Sequence, residues 1–187
     1  ATTVLISGIT IEGVSRLELR HLAEEDAAVF VQEAGVWSQS VPTQTQVISA
    51  TMNSYLQGLV VLTSRRTLPT SAGEPADFGL DSPTYEIILS ALDAGGQSIR
   101  FVLLVGDATA ADDGYYVQRQ GDPPVHIVNK SVLDNILNML ATPPIPLPTP
   151  ELTPFMSVLT DTVTLTGTAT VTATLPAITT TVAPTAI

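Results

Sequence analysis

The chain has no cysteine, a single lysine and two histidines in 187 residues. Without cysteine there are no disulfides, no thiolate chemistry and no Cys-based zinc site, and the redox compartment stays open. With Lys130 as the only lysine, a phosphate loop ending in Gly-Lys-Ser/Thr is excluded. His21 and His126 have no neighbouring ligands at metal spacing, so each is read as an ordinary strand residue. Basic residues are scarce: seven Lys and Arg face eighteen Asp and Glu, for a net charge of -11. Such a chain lacks the basic patch that displaces counterions from phosphates, which argues against nucleic acid as a partner. Adhesion to an anionic membrane is disfavoured for the same reason. No apolar run approaches the roughly 20 residues of a spanning helix, so membrane association is expected through an upstream N-terminal anchor or through partners.

What is present is period-two hydrophobicity broken by turn residues. Residues 1–13 are apolar and Gly-punctuated, and read as an edge strand or lead-in. Val14-Ser-Arg-Leu-Glu-Leu-Arg-His21 alternates apolar and polar positions, as a half-buried strand does. Residues 28–33 return from the charged turn at 24–26, and residues 36–41 add a third strand that ends before Pro42. Strands this closely spaced predict an antiparallel meander. Ile48, Met52, Tyr55, Leu56, Leu59 and Leu62 then recur at helical spacing, with Thr43 or Thr45 as the expected cap. Arg65 and Arg66 lead into what reads as a polar connection through Gly73.

The second half has a similar layout. Strands at 84–92 and 98–105 flank Asp93-Ala-Gly-Gly, a hairpin signal. Strands at 115–120 and 125–128 flank Gly121-Asp-Pro-Pro. Ser131, with Asp134 three residues on, is the expected cap of a helix whose apolar face is Val132, Leu133, Ile136, Leu137 and Leu140. The prediction is an α+β body at 1–141 made of two successive strand-meander-plus-helix units, 14–63 and 84–141. Asn129-Lys-Ser131 fits a glycosylation sequon and is read as chance.

From Thr142 the composition shifts to Pro and Thr. The prolines at 143–150 favour polyproline II, a semi-rigid spacer. Between 160 and 175, Thr alternates with apolar residues that include Val163, Leu165, Val171 and Leu175. This Thr/Pro-rich 142–187 tail reads either as a stalk, O-glycosylated as in cell-surface spacers, or as a segment that orders by adding a strand to a partner. The second reading makes those four residues candidate interaction positions, together with the aromatics Trp37, Tyr115 and Tyr116. Adjacent strand tyrosines point to opposite faces, so one is expected in the core and one exposed.

No nucleophile elbow, Ser-x-x-Lys motif or dinucleotide fingerprint occurs. The acidic loop 107–113 has oxygen ligands suited to calcium but not the EF-hand spacing. No catalytic residue, cofactor or metal is expected.

Several stretches together resemble a bacterial envelope family. They are Pro75-Ala-Asp-Phe-Gly-Leu-Asp-Ser-Pro83, Tyr85-Glu-Ile-Ile-Leu, the Val105-Gly106-Asp107 turn, Gly114-Tyr-Tyr-Val, and Val125-His-Ile-Val-Asn before a Leu-rich helix. Residues 9–141 resemble the family catalogued as domain of unknown function 4340. The resemblance implies an α+β domain behind one N-terminal membrane helix, facing away from the cytoplasm, encoded near transport or gliding components and without accepted catalytic residues. The expectation is a non-catalytic, extracytoplasmic interaction module, an accessory or stabilising subunit of a membrane-anchored transport or electron-transfer assembly, with protein subunits as partners. The alternative is a surface glycan-binding module using Trp37 and Tyr115 or Tyr116, and a third reading is a hydrolase whose carboxylates meet only in space.

Overall fold

A computed structural model of the chain describes residues 3–146. The tail positions Val163, Leu165, Val171 and Leu175 lie outside the described residues.

The alternating segments form strands β1 (Ile9–His21), β2 (Asp26–Glu33) and β3 (Val36–Val41), followed by a two-residue β4 (Thr45–Gln46) and helix α1 (Ser49–Val60). Then come β5 (Ser64–Leu68), two short 3-10 turns at Thr70–Ala72 and Pro75–Phe78, and strands β6 (Tyr85–Asp93), β7 (Ser98–Ala108), β8 (Gly114–Arg119) and β9 (Val125–Asn129). Helix α2 (Lys130–Leu137) follows β9 directly. The architecture is α+β: a large antiparallel sheet with two helices. The strand order is β4-β3-β2-β1-β6-β7-β8-β9-β5. Both halves therefore contribute to one sheet, joined where β1 pairs antiparallel with β6 from Arg16↔Ser90 to His21↔Tyr85.

Three local expectations are corrected. Arg65 and Arg66 do not lie in a polar connection: they belong to β5, an edge strand paired with β9. A register shift between Ser64 and Arg66 lets both arginines face solvent, which hides the strand from a period-two reading. Thr45 does not cap α1, because it pairs with Gln39 in the sheet edge. The helix starts at Ile48 with no side-chain cap, and the Ile48 amide donates instead to the Pro144 carbonyl at 2.8 Å. Ser131 does not cap α2. Asn129 does, its Oδ1 accepting from the Ser131 amide at 3.0 Å and the Ser131 hydroxyl at 2.8 Å.

The main core lies between the sheet and the helices. Leu17, Leu19, Phe30, Leu89, Leu103 and Val117 from the strands meet Met52, Leu56 and Leu59 of α1 and Leu133, Ile136 and Leu137 of α2. Each large side chain so buried contributes about 1.5–3 kcal/mol relative to exposure.

The opposite sheet face carries a charge ladder. Glu18, only 7% exposed, pairs with Arg20 and with Arg16 at 3.2 Å, and Arg20 reaches Glu86 at 3.1 Å. Farther along that face a small second core forms from Phe78, Leu80 and Val125, with Leu68, Leu104 and Tyr116 packed against it. The Pro75–Phe78 turn reaches the sheet closely because position 106 is glycine: a Cβ there would fall 2.2 Å from the Phe78 carbonyl oxygen.

Candidate functional site

One grouping of titratable side chains lies at one end of the sheet, where the β1–β2 turn, the start of β6 and the C-terminal half of α2 meet. Hairpin register places His21 opposite Asp26, and β1–β6 pairing places it opposite Tyr85. The His21 ring stacks on the Tyr85 ring with centroids 4.5 Å apart, and His21 Nδ1 lies 2.9 Å from Glu24 Oε2. A concavity of about 430 Å³ opens beside them, lined by His21, Glu24, Asp26, Tyr85 and Asp134 and by the apolar Leu137 and Leu140.

Asp134 also lines a neighbouring recess of about 570 Å³, with Arg65, Asp112, Asp113, Asn129, Lys130 and Ser131. Its oxygens are committed: Oδ1 accepts from the Tyr115 hydroxyl at 2.8 Å and Oδ2 from Lys130 Nζ at 2.9 Å. Lys130 also sits 5.2 Å above the Tyr115 ring. Burial, with the bond to the Asp134 carboxylate, pushes the Tyr115 hydroxyl above its ordinary pKa, and the bond to Asp134 holds Lys130 protonated well beyond the usual lysine range. Both tendencies hold Tyr115 as a hydrogen-bond donor and Lys130 as a cation, which makes this trio a structural clamp between β8 and α2.

The acidic loop is likewise occupied by its own partners. Asp113 pairs with Arg65 at 2.6 Å and accepts from the Thr109 hydroxyl at 2.9 Å, and these bonds depress its pKa. Among the described residues no group of three or more His, Asp or Glu side chains is placed to hold a metal ion.

The aromatic candidates sit differently from expectation. Trp37 is fully buried in the main core and cannot face a ligand. Its strand alternation pointed to one face of β3 or the other, and that face is the one covered by α1. Tyr115 and Tyr116 do point to opposite faces, but both are half-buried. Tyr115 is clamped by Asp134 and Lys130, and Tyr116 packs on Phe78 with ring centroids 4.9 Å apart. The expected exposed member of the pair is drawn into the second core by the Pro75–Phe78 turn. The other histidine, His126, is buried, with Nδ1 3.1 Å from the Thr67 hydroxyl.

Residues 37–143 match the family model described as Domain of unknown function (DUF4340). The chain belongs to this family. No curated protein and no solved structure matches it. The DUF4340 segment begins at Trp37 and so takes in all of β3 but its first residue, β4 to β9 and both helices, while β1 and β2 precede it. The concavity therefore has two sources: Tyr85, Asp134, Leu137 and Leu140 come from the DUF4340 segment, and His21, Glu24 and Asp26 from the hairpin in front of it. Sequence reasoning missed Glu24, Asp26, Tyr85 and Asp134 as neighbours. The signal for part of the group was present, since a tight β1–β2 hairpin sets His21 against Asp26 once the turn at 22–25 is recognised.

Proposed function

We propose that this chain is a non-catalytic, extracytoplasmic interaction module that serves as an accessory or stabilising subunit of a membrane-anchored complex. The observation that carries the reading is how the polar side chains are used. Glu18 with Arg16 and Arg20, Arg65 with Asp113, and Asp134 with Tyr115 and Lys130 each pair internally. They stiffen a scaffold, where a catalytic site would hold such groups ready around an open volume. In this reading the strand-and-helix runs 14–63 and 84–141 are two halves of that scaffold, and the Thr/Pro-rich tail is the spacer or docking strand that reaches a neighbouring subunit. The complex is a transport or electron-transfer assembly at the cell envelope, with the chain held at the membrane by an anchor or by its partners.

The test is purification of the tagged full chain from gently solubilised native membranes. Stoichiometric co-purification of other subunits supports the proposal. A species that contains only this chain, at physiological abundance and in several detergents, refutes it.

One observation favours a second reading as a hydrolase: three carboxylates, Glu24, Asp26 and Asp134, line the concavity beside His21. Among the described residues Glu24 and Asp134 are already paired and Asp26 is not, which makes Asp26 the acid to test. Turnover of chromogenic esters or glycosides that disappears in Asp26→Asn would establish this reading, and turnover unaffected by that change would remove it.

A further inference from the structure

Of the two histidines, His126 is the one the sheet encloses: it is 4% exposed, whereas His21 sits beside Glu24 at the sheet end. In the sheet His126 stands between Val117 of β8 and Thr67 of β5. Its Nδ1 lies 3.1 Å from the Thr67 hydroxyl, which in turn lies 3.4 Å from the hydroxyls of both Ser64 and Thr3. Thr3 closes this cluster from outside. Its amide donates to Ser64 Oγ at 3.2 Å, and its carbonyl accepts from the Ser64 amide at 2.8 Å. A neutral ring with a bare Nδ1 accepts from Thr67. A charged ring carries a proton on both nitrogens, so Thr67 must accept from the ring and turn its own hydrogen toward Ser64 or Thr3.

Little charge reaches the ring. Asp122, in the turn before β9, favours the protonated form, but burial outweighs it and lowers the pKa. β8 sets Val117 against the ring, and Arg119 farther along that strand lies over the Phe101 ring. On β5 both arginines are exposed, and Arg65 pairs with Asp113 at 2.6 Å. Lys130 and Asp134 of α2 pair with each other, and residues 3–11 carry no charge. A proton on His126 is therefore poorly solvated, and wetting the ring relieves it. β5 is the neighbour that can move. It ends the strand order, whereas β8 is interior. Its ladder to β9 is already broken by the register shift between Ser64 and Arg66. On its outer side it meets residues 3–5 through the Val4–Thr63 bridge and the Ser64–Thr3 bond, and beyond Ser64 it has no strand partner there among the described residues. Movement stops at Leu62, which lies with Leu5 and Ile6 in the main core, and Leu68 is held only by partial burial against the second core.

We propose that β5 is an acid-released edge strand: protonation of His126 parts residues 66–68 from β9 and bares the backbone of residues 125–127, with Ser64 as the hinge. The sign follows from burial. The closed strand is favoured above the ordinary imidazole value of about pH 6.5, and the opening equilibrium rises by about tenfold per pH unit as pH falls from there toward the folded value. The release involves this chain alone and does not depend on the membrane-complex reading. Co-purification tests that reading, and exchange within the chain tests this one.

Hydrogen exchange on the full chain is followed from about pH 7.5 to about pH 4.5, with protection corrected for the intrinsic pH dependence of exchange. The amides of residues 64–68 are expected to lose protection by about tenfold per pH unit below about pH 6.5. The β6–β7 ladder and the Leu5 amide, which donates to the Leu62 carbonyl at 3.0 Å, are expected to keep theirs. His126→Gln leaves a polar side chain that cannot take the charge, and is expected to abolish the loss at residues 64–68. A wild-type measurement stands beside it should that variant fail to fold: in an NMR titration the His126 ring signals are expected to move below about pH 6.5 together with the Ser64 and Thr67 amides. Protection at residues 64–68 that ignores pH overturns the proposal. So does a loss shared equally by the β6–β7 ladder, a loss that persists in His126→Gln, or a ring that titrates while the Ser64 and Thr67 amides stay unmoved.

Discussion

Gly106→Ala tests the close approach that builds the second core. The added Cβ falls 2.2 Å from the Phe78 carbonyl oxygen, 3.0 Å from the Gly79 carbonyl carbon and 3.1 Å from the Gly79 oxygen. All three are backbone atoms, so no side-chain rotation relieves the overlap, and the Pro75–Phe78 turn must move outward by about 1 Å to restore ordinary contact distances. If the turn slides and keeps its residues covered, the cost is that of overpacking, about 1–3 kcal/mol. If it lifts away, Phe78 and Leu80 lose their burial at about 1.5–3 kcal/mol each, or about 3–6 kcal/mol together. The expected destabilisation lies between these limits, at about 2–4 kcal/mol. Urea unfolding monitored by tryptophan fluorescence measures it, since Trp37 reports on the main core and not on the turn. Hydrogen exchange locates it: the Gly79 and Leu80 amides, which donate to Ala76 and Pro75, are expected to lose protection before the β6–β7 ladder does. Gly58→Ala is the contrasting change, because open space surrounds that position and alanine favours the helix by about 0.5–1 kcal/mol. A Gly106→Ala protein within about 0.5 kcal/mol of wild type, with Gly79 and Leu80 still protected, would refute the reasoning.

Three further outcomes follow from the described geometry. Trp37→Ala empties a fully buried site and is expected to cost about 3–5 kcal/mol in urea unfolding; a near-neutral result would place the indole at the surface instead. Tyr115→Phe deletes the hydroxyl that Asp134 accepts from and is expected to cost about 1–2 kcal/mol, with most of that loss absent when Asp134→Ala has already removed the acceptor, a double-mutant cycle that additive losses would contradict. Burial lowers the pKa of His126 below the ordinary imidazole value of about 6.5, so as pH falls the unfolded chain takes up the proton first and stability drops from about pH 6.5 downward through the folded pKa. His126→Gln is expected to flatten that slope, and an unchanged slope assigns it to another group.

Much of the sheet was legible because strand periodicity is local. β1 alternates, and β2, β6 and β7 are short apolar runs bounded by turn residues, while the Asp93 hairpin carries its own chemistry: Asp93 Oδ1 accepts from the Gly95 and Gln97 amides, both at 2.8 Å. What escaped was pairing between distant segments. Nothing within Ser64–Leu68 states that it will lie beside β9, and its register shift disguises even its strand character. The caps failed for a related reason. Thr45 has the chemistry of a cap but a sheet edge claims it, and Asp134 has the spacing of a capping box but Tyr115 and Lys130 claim it. The site was harder still, since the group around His21 gathers a hairpin, a strand start and a helix that are local to nothing but the folded state.

The pairing of β1 with β6 has a bearing on how the protein is made. During synthesis β1, β2 and β3 can zip into a meander as soon as they emerge, but the other edge of β1 must wait for Tyr85–Asp93. Throughout that interval Leu17 and Leu19 line a bare strand edge whose helical cover has only partly arrived. β5, made earlier than β6, waits longer still, because its ladder partner β9 is the last strand to form. Sheets closed by such late, distant pairings fold slowly and expose sticky edges meanwhile. Production of this chain is therefore expected to depend on whatever shields nascent strands, and to suffer when translation outruns that protection.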